Sequence, residues 1–510
     1  MRSTFMGLET ARRGMVTQQS ALYTTGHNIA NANTLGYSRQ RVNFTTTTPY
    51  PGVGLNRPQL PGQMGTGVEA GSVQRVRNAF LDVQYRNENN KLGYWESRAN
   101  SLSKMEDIMN EPSEDGISAV MNEFWQSLQD LSGNPENDGA RKVVLQRGQA
   151  VADTFHYVHD SLTTIKDDLG NEIGVTIKEV NSLLKQIGEI NKQISEIEPH
   201  GYLTNDLYDA RDLLVDELSQ HLNISVERKP SGGNALPNAE GLYDIKLLDG
   251  SGNSYTLVSG KDYGQIGIDG STSDVVTGPL TSITVIDSAG TTSTIDASKG
   301  FPQGNLKGLI ESYGFNDAGG VKGIYPEMLN DLDKLAYTFA TIFNDVHAQG
   351  YDLTGANPTK AFFDGITAGN YADAAKNIKL GSLKPADVAA SAQGDAGDGK
   401  HAINLSNIFG MDLASSNQTV ITSGTINSFY EGMIGKLGVD ALQANRLSNN
   451  SVTLKQSVEE RRQSESSVSL DEEMTNMIKF QHAYNASARQ ITVIDEILDK
   501  IINGMGTVGR

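Results

Sequence analysis

The chain has 510 residues, of which 37% are hydrophobic and 20% charged, the composition of a globular protein with room for roughly two to four domains. Its formal net charge of −19 argues against a nucleic-acid binder, a class that normally presents a basic face. It contains no cysteine, which excludes disulfides, thiol catalysis and cysteine-bound metals, and no apolar run approaches the roughly 18 residues of a membrane span.

Charge is distributed unevenly along the chain. Residues 1–77 contain eight arginines and no lysine, and their only acids are Glu9 and Glu69, so this segment carries +6 and the remainder −25. A basic end on an acidic body could favour head-to-tail contact between subunits, and a chance excess of arginine accounts for it equally well. The N-terminus also lacks the continuous apolar stretch of a secretory signal. These features predict a protein that is cytoplasmic or leaves the cell by a route that reads no cleaved signal peptide.

The N-terminal segment is predicted to form an amphipathic helix suited to packing. Its apolar residues recur every seven positions, a spacing that keeps one seam of a helix facing a partner. The seam consists of Leu8, Met15, Leu22 and Ile29, with Phe5 on the same flank. Polar residues fill its alternate positions, so the seam is thin. Residues 31–77 are rich in Gly, Pro, Thr and Asn and are predicted to be extended chain and turns.

Helical periodicity resumes near residue 80. One helix is predicted from about Leu81 to Met109 and a shorter one from Ile117 to Leu131. The longest pattern runs from about Ala140 to Ile197, where apolar residues again recur at spacings of seven. At 1.5 Å per residue this helix would be a rod of roughly 85 Å, and it needs a partner along its length. Pro199 ends it, and a returning helix is predicted from Asn205.

Between about Ile224 and Gly300 the apolar residues alternate and are punctuated by turn signals, which predicts a β-rich insertion. Helix returns at Tyr325–His347, and residues 351–425 are mixed and irregular. The C-terminal segment again repeats apolar residues at seven, these being Leu470, Met477, Tyr484, Ile491 and Leu498, with Met474 on an alternate position. Because both terminal seams are incomplete alone, the two helices are predicted to pack against each other and against neighbouring subunits.

The predicted fold class is therefore α+β and multidomain, with paired terminal helices and long coiled-coil-like helices that carry inserted β-rich domains. The predicted divisions are an N-terminal assembly helix and extended segment (1–79), a long helical shaft (80–223), a β-rich outer domain (224–310), a helical return (311–350), a second mixed or β-rich outer region (351–439) and a C-terminal assembly helix (440–510).

The strongest enzyme-like string is Gly394–Lys400, which fits the G-x-x-x-x-G-K half of a phosphate loop. His401 stands where Ser or Thr should reach magnesium, and two aspartates inside the loop would repel phosphate. A surface loop is therefore favoured. A phosphate-binding or hydrolytic enzyme remains an alternative only if the 225–425 insertions contain a binding or catalytic site. Loss of an activity in a Lys400→Ala variant would support this alternative.

Histidines and a charge cluster give no stronger site. His156, His159 and Asp160 on the long helix lack the three or four ligands that zinc normally needs, and a solvated helix face is favoured. His347 is interpreted as a structural histidine whose cation would suit a helix C-terminus. Arg211 is expected to reach the neighbouring long helix in a buried or half-buried ion pair, the alternative being ordinary exposed charge. No catalytic residue, metal or cofactor is predicted.

A resemblance to a known family comes from residues 28–41, NIANANTLGYSRQR, which follow the N-terminal helix. This stretch resembles the N-terminal signature of the axial proteins of the bacterial flagellum, that is, the rod, hook and hook-associated proteins. The residues that carry it are Asn28, Ile29, Ala30, Asn31, Gly36, Tyr37, Arg39 and Gln40. NDLYDARDLLVDELS at 205–219, GNLKGLIES at 304–312 and LDKLAYTFATIFNDVHAQGYDLTG at 332–355 narrow the resemblance to the hook-associated protein 1 family. The C-terminal 469–502 resembles that family's last helix.

The resemblance implies a structural protein of the junction between hook and filament, and another axial protein (hook or distal rod) is the alternative. It implies self-association in a tubular ring, contact with hook protein and the next hook-associated protein, an export chaperone, and no nucleic-acid or membrane partner. It implies an extracellular location on the flagellum after type III export. The run Asn28–Asn33 is then expected to break the helix and turn the chain outward.

Overall fold

The computed structural model describes residues 5–52, 54, 62–109, 116–269, 276, 278–415 and 420–504. The protein is 60% helical with several small sheets, which confirms the predicted α+β multidomain class. The helices are α1 (Phe5–Ala30), α2 (Ala79–Met109), α3 (Ile117–Gly133), α4 (Asp138–Ile197), α5 (Asn205–His221), α6 (Asn305–Tyr313), α7 (Ile324–His347), α8 (Ala374–Asn377), α9 (Lys400–Ser406), α10 (Ile426–Ser466) and α11 (Leu470–Gly504). The strands are β1 (Gln40–Thr46), β2 (Val68–Arg75), β3 (Ile224–Lys229), β4 (Leu242–Leu248), β5 (Ser254–Ser259), β6 (Asp262–Tyr263), β7 (Gln265–Ile268), β8 (Ser282–Ile286), β9 (Thr292–Asp296), β10 (Phe315–Asp317), β11 (Gly320–Lys322), β12 (Phe363–Asp364) and β13 (Lys379–Leu380).

The segment after α1 turns back along that helix as a two-stranded hairpin. β1 and β2 pair antiparallel, with Gln40 opposite Arg75 and Thr46 opposite Val68. The hydroxyl of Thr17, buried on α1, donates a hydrogen bond to the carbonyl of Val68 at 3.1 Å. The hairpin is therefore fastened to α1, so the extended segment lies on the N-terminal helix.

α4 is the spine of the shaft. It has 60 residues, which at 1.5 Å per residue span about 90 Å. Asn137 caps its N-terminus by accepting hydrogen bonds from the backbone amides of Gly139 at 2.8 Å and Ala140 at 3.4 Å. The apolar seam is buried from Phe155 to Leu183, and α3, α5, α6, α7 and the sheets cover successive parts of the helix. The need for a partner along its length is thus met within the chain and by several elements.

Two small antiparallel sheets, ordered β3-β4-β5-β6 and β7-β8-β9, lie against the C-terminal half of α4. The side chain of Asn181 donates to the carbonyl of Ile266 at 2.8 Å and accepts from its amide at 2.7 Å. Asn191 donates to the carbonyls of Tyr243 at 2.9 Å and Gly260 at 2.8 Å. These two amides satisfy sheet backbone that would otherwise be buried unpaired, and they fix the sheets on the shaft. α6, in the same predicted β-rich region, is a helix that the period-two pattern did not predict.

The region after α7 packs onto the shaft through aromatic side chains. Phe362 and Phe363 are buried against α3 and α7, with ring centroids of Phe343 and Phe362 4.7 Å apart and those of Phe339 and Phe363 5.0 Å apart. Between 351 and 425, the described residues form only the two-residue strands β12 and β13. Of the two descriptions predicted for this region, mixed or β-rich, the structure has the mixed one, because its Gly, Ala and Asp residues form turns and short helices around a few apolar anchors.

The C-terminal region consists of two helices. α10 begins at Ile426, ahead of the predicted boundary at residue 440, with Thr425 as its cap accepting from the Ser428 amide at 3.0 Å. α10 packs along α2 and so belongs to the shaft. A break at 467–469 separates it from α11, which packs on α1. The assembly helix predicted for 440–510 is therefore split between the shaft and the terminus.

Candidate assembly joint between the terminal helices and the shaft

α1 and α11 run antiparallel as a pair, hereafter the terminal pair, and two glycines of α1 lie against α11. A Cβ on Gly7 would lie 3.3 Å from Ile494 Cδ1, and one on Gly14 would lie 3.2 Å from Ser487 Oγ. Each of these contacts is seven residues from the next on both helices, so the step is the heptad step. Absence of side chains at these positions is what allows the two backbones to come so close.

The residues of the predicted assembly seams flank this line of contact. Leu8, Met15, Leu22 and Ile29 on α1 and Met477, Tyr484, Ile491 and Leu498 on α11 are all half-buried. Phe5 is 62% exposed, Leu470 48% and Met474 57%. The two glycines that lie against α11, Gly7 and Gly14, each precede a residue of the predicted seam by one position. A search for apolar residues does not detect them.

The flagellar-type motif folds around the side chain of Asn28, which is buried. Its amide nitrogen donates to the carbonyl of Gln40 at 2.8 Å and to the carboxylate of Glu473 at 3.1 Å. Its oxygen accepts from the amide of Gln40 at 3.0 Å and from the hydroxyl of Tyr37 at 2.8 Å. One side chain thus joins α1, the start of β1 and α11.

The turn itself differs slightly from expectation. The helix continues through Asn28, Ile29 and Ala30, so the break expected at 28–33 begins at Asn31. The Asn31 side chain donates to the carbonyl of His27 at 3.1 Å, which closes the last turn of α1. Gly36 has φ +79°, a left-handed conformation that favours glycine, and a Cβ there would lie 3.4 Å from Leu213 Cβ on α5.

Ion pairs complete the joint on the α11 and α5 sides. Arg39 pairs with Glu473 at 2.8 Å and Glu472 at 2.6 Å, and its backbone amide donates to the carbonyl of Ser466 at the end of α10 at 2.8 Å. Gln40 donates to Asp206 on α5 at 2.8 Å. We call Asn28, Tyr37, Arg39, Gln40, Asp206 and Glu473 the joint.

The electrostatics of the joint keep the hydroxyl of Tyr37 protonated. Burial, followed by the charges of Asp206, Asp209 and Glu473, raises the pKa of Tyr37. Its hydroxyl therefore stays protonated and keeps donating to Asn28. The sequence analysis did not identify Asp206 and Glu473 as partners of the motif. The one signal that could have indicated Glu473 is the acidic start of α11, which is complementary to the basic N-terminal segment.

The enzyme-like string is occupied by the chain's own groups. The carboxylate of Asp398 accepts from the backbone amides of Ala392 at 2.8 Å and Lys400 at 3.1 Å, and so caps α9. Within the string itself, the amide of Lys400 donates to Asp398 and that of Gly394 donates to the Ser391 hydroxyl at 2.9 Å, and the segment before the loop holds only an isolated bridge at Ser391.

The histidine interpretations need correction. His159 is buried, so the predicted solvated helix face is wrong for this residue. Its ring Nδ1 lies 3.3 Å from the carboxylate of Asp160. His347 is buried, accepts from the amide of Ala389 at 3.1 Å, and burial lowers its pKa to about 4, so it is neutral and not the expected cation. The described residues contain no group of three or more acidic or histidine side chains placed to hold a metal.

Arg211 is fully buried and does reach the long helix, where it donates to the Asn191 side chain at 3.2 Å. Its carboxylate partner is Glu240 at 3.8 Å, in the loop before β4 and not on α4. The guanidinium stacks 3.5 Å from the Tyr243 ring. The predicted contact of Arg211 with the long helix is therefore present. The carboxylate that pairs with Arg211 belongs to the loop before β4 and not to the long helix. No helix in the part of the chain that the structure describes is long and apolar enough to cross a membrane.

Comparison with known proteins gives matches along the whole chain. Residues 102–363 match the family described as the flagellar hook-associated protein FlgK helical domain. Residues 8–37 match the flagella basal body rod protein family, and residues 461–504 match the C-terminal region of the flagellar basal body rod FlgEFG proteins. The terminal matches thus cover the terminal pair and part of the motif, and the FlgK match covers most of the shaft and the sheets.

Individual relatives agree with these matches. The chain is 46% identical to flagellar hook-associated protein 1 of Bacillus subtilis over 100% of both chains. It is 24% identical to flagellar hook-associated protein 1 of Escherichia coli over 97% of this chain and 99% of that one. Its fold is similar to the flagellar hook junction protein FlgK from Burkholderia pseudomallei, with a TM-score of 0.56, 15% identity, and coverage of 75% of this chain and 100% of that one.

Proposed function

Since the chain belongs to the family of flagellar hook-associated protein 1, we propose that it is built into the flagellar axis through its terminal pair, with the shaft and sheets outside. Membership makes it a structural protein of the flagellum, in the family of the hook–filament junction. The residues proposed to make the contacts are those of the two predicted seams together with the exposed apolar side chains of α1 and α11.

The observation that carries the proposal is the unburied apolar surface of α11. Of its 35 residues, Glu473 is the one buried residue in the described helix. Six apolar side chains are 41–57% exposed, namely Leu470, Met474, Ile478, Val493, Ile497 and Ile501. Burying what remains exposed of each would contribute roughly 1 kcal/mol. A long helix with this much exposed apolar surface is typical of an interaction site.

α1 has exposed apolar side chains of its own. Val16 is 50% exposed and Tyr23 is 81% exposed, seven residues apart on the side away from the glycine contacts. We propose that copies of the chain bury these faces against one another in a tubular ring. Hook protein on one side and the next hook-associated protein on the other are the proposed axial neighbours.

Substitution of Ile497 by Glu tests this assembly. The side chain is half exposed, so the isolated protein should keep its fold, while a charge in a newly formed apolar contact would block incorporation. A strain lacking the native gene is complemented with the variant, and filaments are counted by electron microscopy. Gln443→Glu, which adds the same charge at an exposed polar position of α10 in the shaft, is the matched control. Full filaments on Ile497→Glu at normal export levels would overturn the proposal.

Deletion of residues 470–510 is the coarser test. In the described structure α11 packs mainly on α1, so the shaft and sheets should remain folded, with an unchanged thermal transition of the middle. Filament attachment should be lost. Normal filaments on this truncation would contradict assembly through the terminal pair.

Export is proposed to proceed without a cleaved signal peptide, with a chaperone that covers the exposed apolar ends until assembly. The incomplete burial of α11 supports the need for such a cover before assembly. The mass of the protein recovered from the medium of a strain that sheds its flagella should equal the mass of the full chain. A secreted form shortened at its N-terminus would contradict the route.

We propose no catalytic role. The relatives are flagellar structural proteins, and the phosphate-loop string is engaged by Asp398. Retention of full motility in a Lys400→Ala variant is the expected result.

A further inference from the structure

A buried cluster of arginines and carboxylates connects the β1–β2 hairpin to the shaft, next to the joint but distinct from it. Among the described residues, ion pairs of 4.0 Å or less link six arginines with six carboxylates into one network. The arginines are Arg75, Arg77, Arg86, Arg211, Arg228 and Arg462, and the carboxylates are Asp82, Asp209, Asp212, Asp216, Glu240 and Glu459. The network is therefore electrically neutral.

Asp212 on α5 lies at its centre. The carboxylate is 1% exposed and pairs with Arg75 at 3.0 Å, Arg77 at 3.4 Å and Arg86 at 3.1 Å. The hydroxyl of Tyr243 on β4 donates to it at 2.9 Å. Three cations and a hydroxyl keep this carboxylate ionised, and they lower its pKa although burial alone would raise it.

The two arginines from the N-terminal hairpin are what balance the charge. The shaft, the sheets and α10 contribute all six carboxylates but only four of the arginines. Arg75, the last residue of β2, and Arg77, two residues later, supply the remaining two positive charges. If the hairpin leaves, two carboxylate charges stay uncompensated in a site with little water, and such a loss is strongly unfavourable.

The same two arginines reach three separate parts of the molecule. Arg75 pairs with Glu240 at 2.5 Å, in the loop that leads into β4 of the sheets. Arg77 pairs with Asp82 at 2.9 Å on α2. Asp82 and Asp216 in turn pair with Arg462, near the end of α10 and just before the break to α11. The hairpin, the sheets and the end of α10 thus share carboxylates.

We propose that this network is an ionic latch that closes when the N-terminal hairpin docks, locking the hairpin, the loop before β4 and the end of α10 together in one cooperative step. With the latch closed, the direction of the terminal pair relative to the shaft is fixed. With it open, the joint is held to the shaft by the hydrogen bond from Gln40 to Asp206, by the contact of Gly36 with Leu213, and by the covalent chain at the end of α10. The latch operates within one chain, so it is independent of whether the terminal pair assembles as proposed above.

Restoring the charge balance with a second substitution distinguishes the latch from ordinary packing, which such a substitution would not restore. Arg75→Gln removes one positive charge and leaves Asp209, 2.6 Å away, with Arg77 at 3.8 Å as its remaining arginine. Asp209→Asn added to it restores neutrality while Asn can still accept from the amide of Ser38, which lies 3.0 Å from Asp209. Burial raises the pKa of Asp209, which disfavours the ionised form of this carboxyl group.

The measurement is hydrogen exchange on the purified full chain, read at peptides from β2, from residues 239–243, from the end of α10 and from α4. In the Arg75→Gln variant, the peptides from β2, from residues 239–243 and from the end of α10 should all exchange at least tenfold faster. The peptide from α4 should exchange as in the natural chain. The double variant should recover most of that protection. Arg41→Gln, an exposed arginine on β1, is the matched control and should exchange as the natural chain does.

Two results would overturn the latch. One is a double variant that exchanges as fast as Arg75→Gln, because charge balance would then play no part. The other is acceleration confined to β2, because the three segments would then not be coupled. If Arg75→Gln does not fold, Arg75→Lys takes its place, keeping the charge but losing the bidentate geometry. About threefold faster exchange in the three segments together is expected from the lost geometry, and acceleration confined to β2 would again overturn the proposal.

Discussion

Replacing Asn28 by alanine removes the side chain on which the joint is built. Asn28 is 1% exposed and makes four hydrogen bonds, to the backbone of Gln40 twice, to Tyr37 and to Glu473. A net hydrogen bond contributes about 1 kcal/mol between neutral groups and about 2 kcal/mol to a charged group, so about 5 kcal/mol is the upper limit. Water can reach the half-buried Tyr37 in the variant and replace part of this, which leaves a loss of about 3 kcal/mol.

Because the lost bonds hold only the joint, the effect should be local. Hydrogen exchange at the amides of Arg39 and Gln40 should accelerate about a hundredfold, since each 1.4 kcal/mol is a factor of ten. Asn33→Ala, the same substitution at an exposed position of the same motif, should exchange as the natural chain does. Swimming in soft agar should fall for Asn28→Ala alone. Exchange within threefold of the natural protein at these two amides would refute the idea that Asn28 carries the joint.

Three further substitutions address the terminal pair, the core and the acid response. Gly14→Leu should separate α1 from α11, because even a Cβ at this position would lie 3.2 Å from Ser487, and hydrogen exchange should become faster in both helices. Gly26→Leu is the control and should leave exchange unchanged, because no atom lies within 4 Å of its Cβ site. Phe343→Ala should lower the free energy of unfolding in denaturant by about 3–5 kcal/mol, since the ring is fully buried, and a loss under 1 kcal/mol would contradict that packing. His347 has a pKa lowered to about 4, so as pH falls from 6.5 to 4 the unfolded chain binds a proton that the folded chain does not, and stability should fall by up to about 3 kcal/mol. His347→Gln should flatten part of this pH dependence, and an unchanged slope would refute the assignment.

The helices were predictable because periodicity is a local property of the sequence. The span predicted for the longest helix, Ala140–Ile197, differs from α4 only by two residues at its start. Asn137 explains the difference, since its capping bonds begin the helix at Asp138. α6 was not predicted as a helix, because its nine residues between Gly304 and Gly314 are too few for a clear period.

Properties that depend on distant residues were predicted less well. The seven-residue spacing of Leu8 and Met15 gave the period of α1 but not its glycine contacts with α11, since Gly7 and Gly14 have no apolar side chain to register in such a count. The family motif marked Asn28 and Arg39 as important. Their partner Glu473 lies more than 430 residues further along the chain, where no local pattern connects the two.

The basic N-terminal segment shows how such a distant effect changes an interpretation. Its net charge of +6 could favour contact between the basic end of one subunit and the acidic body of the next. In the structure Arg75 and Arg77 are instead buried against carboxylates of their own chain, and Arg39 pairs with the start of α11. Charges neutralised in this way contribute little to attraction between subunits. We therefore propose that contact between subunits depends on the apolar side chains left exposed on α11 and α1, and that these arginines serve to fix the direction of those helices relative to the shaft.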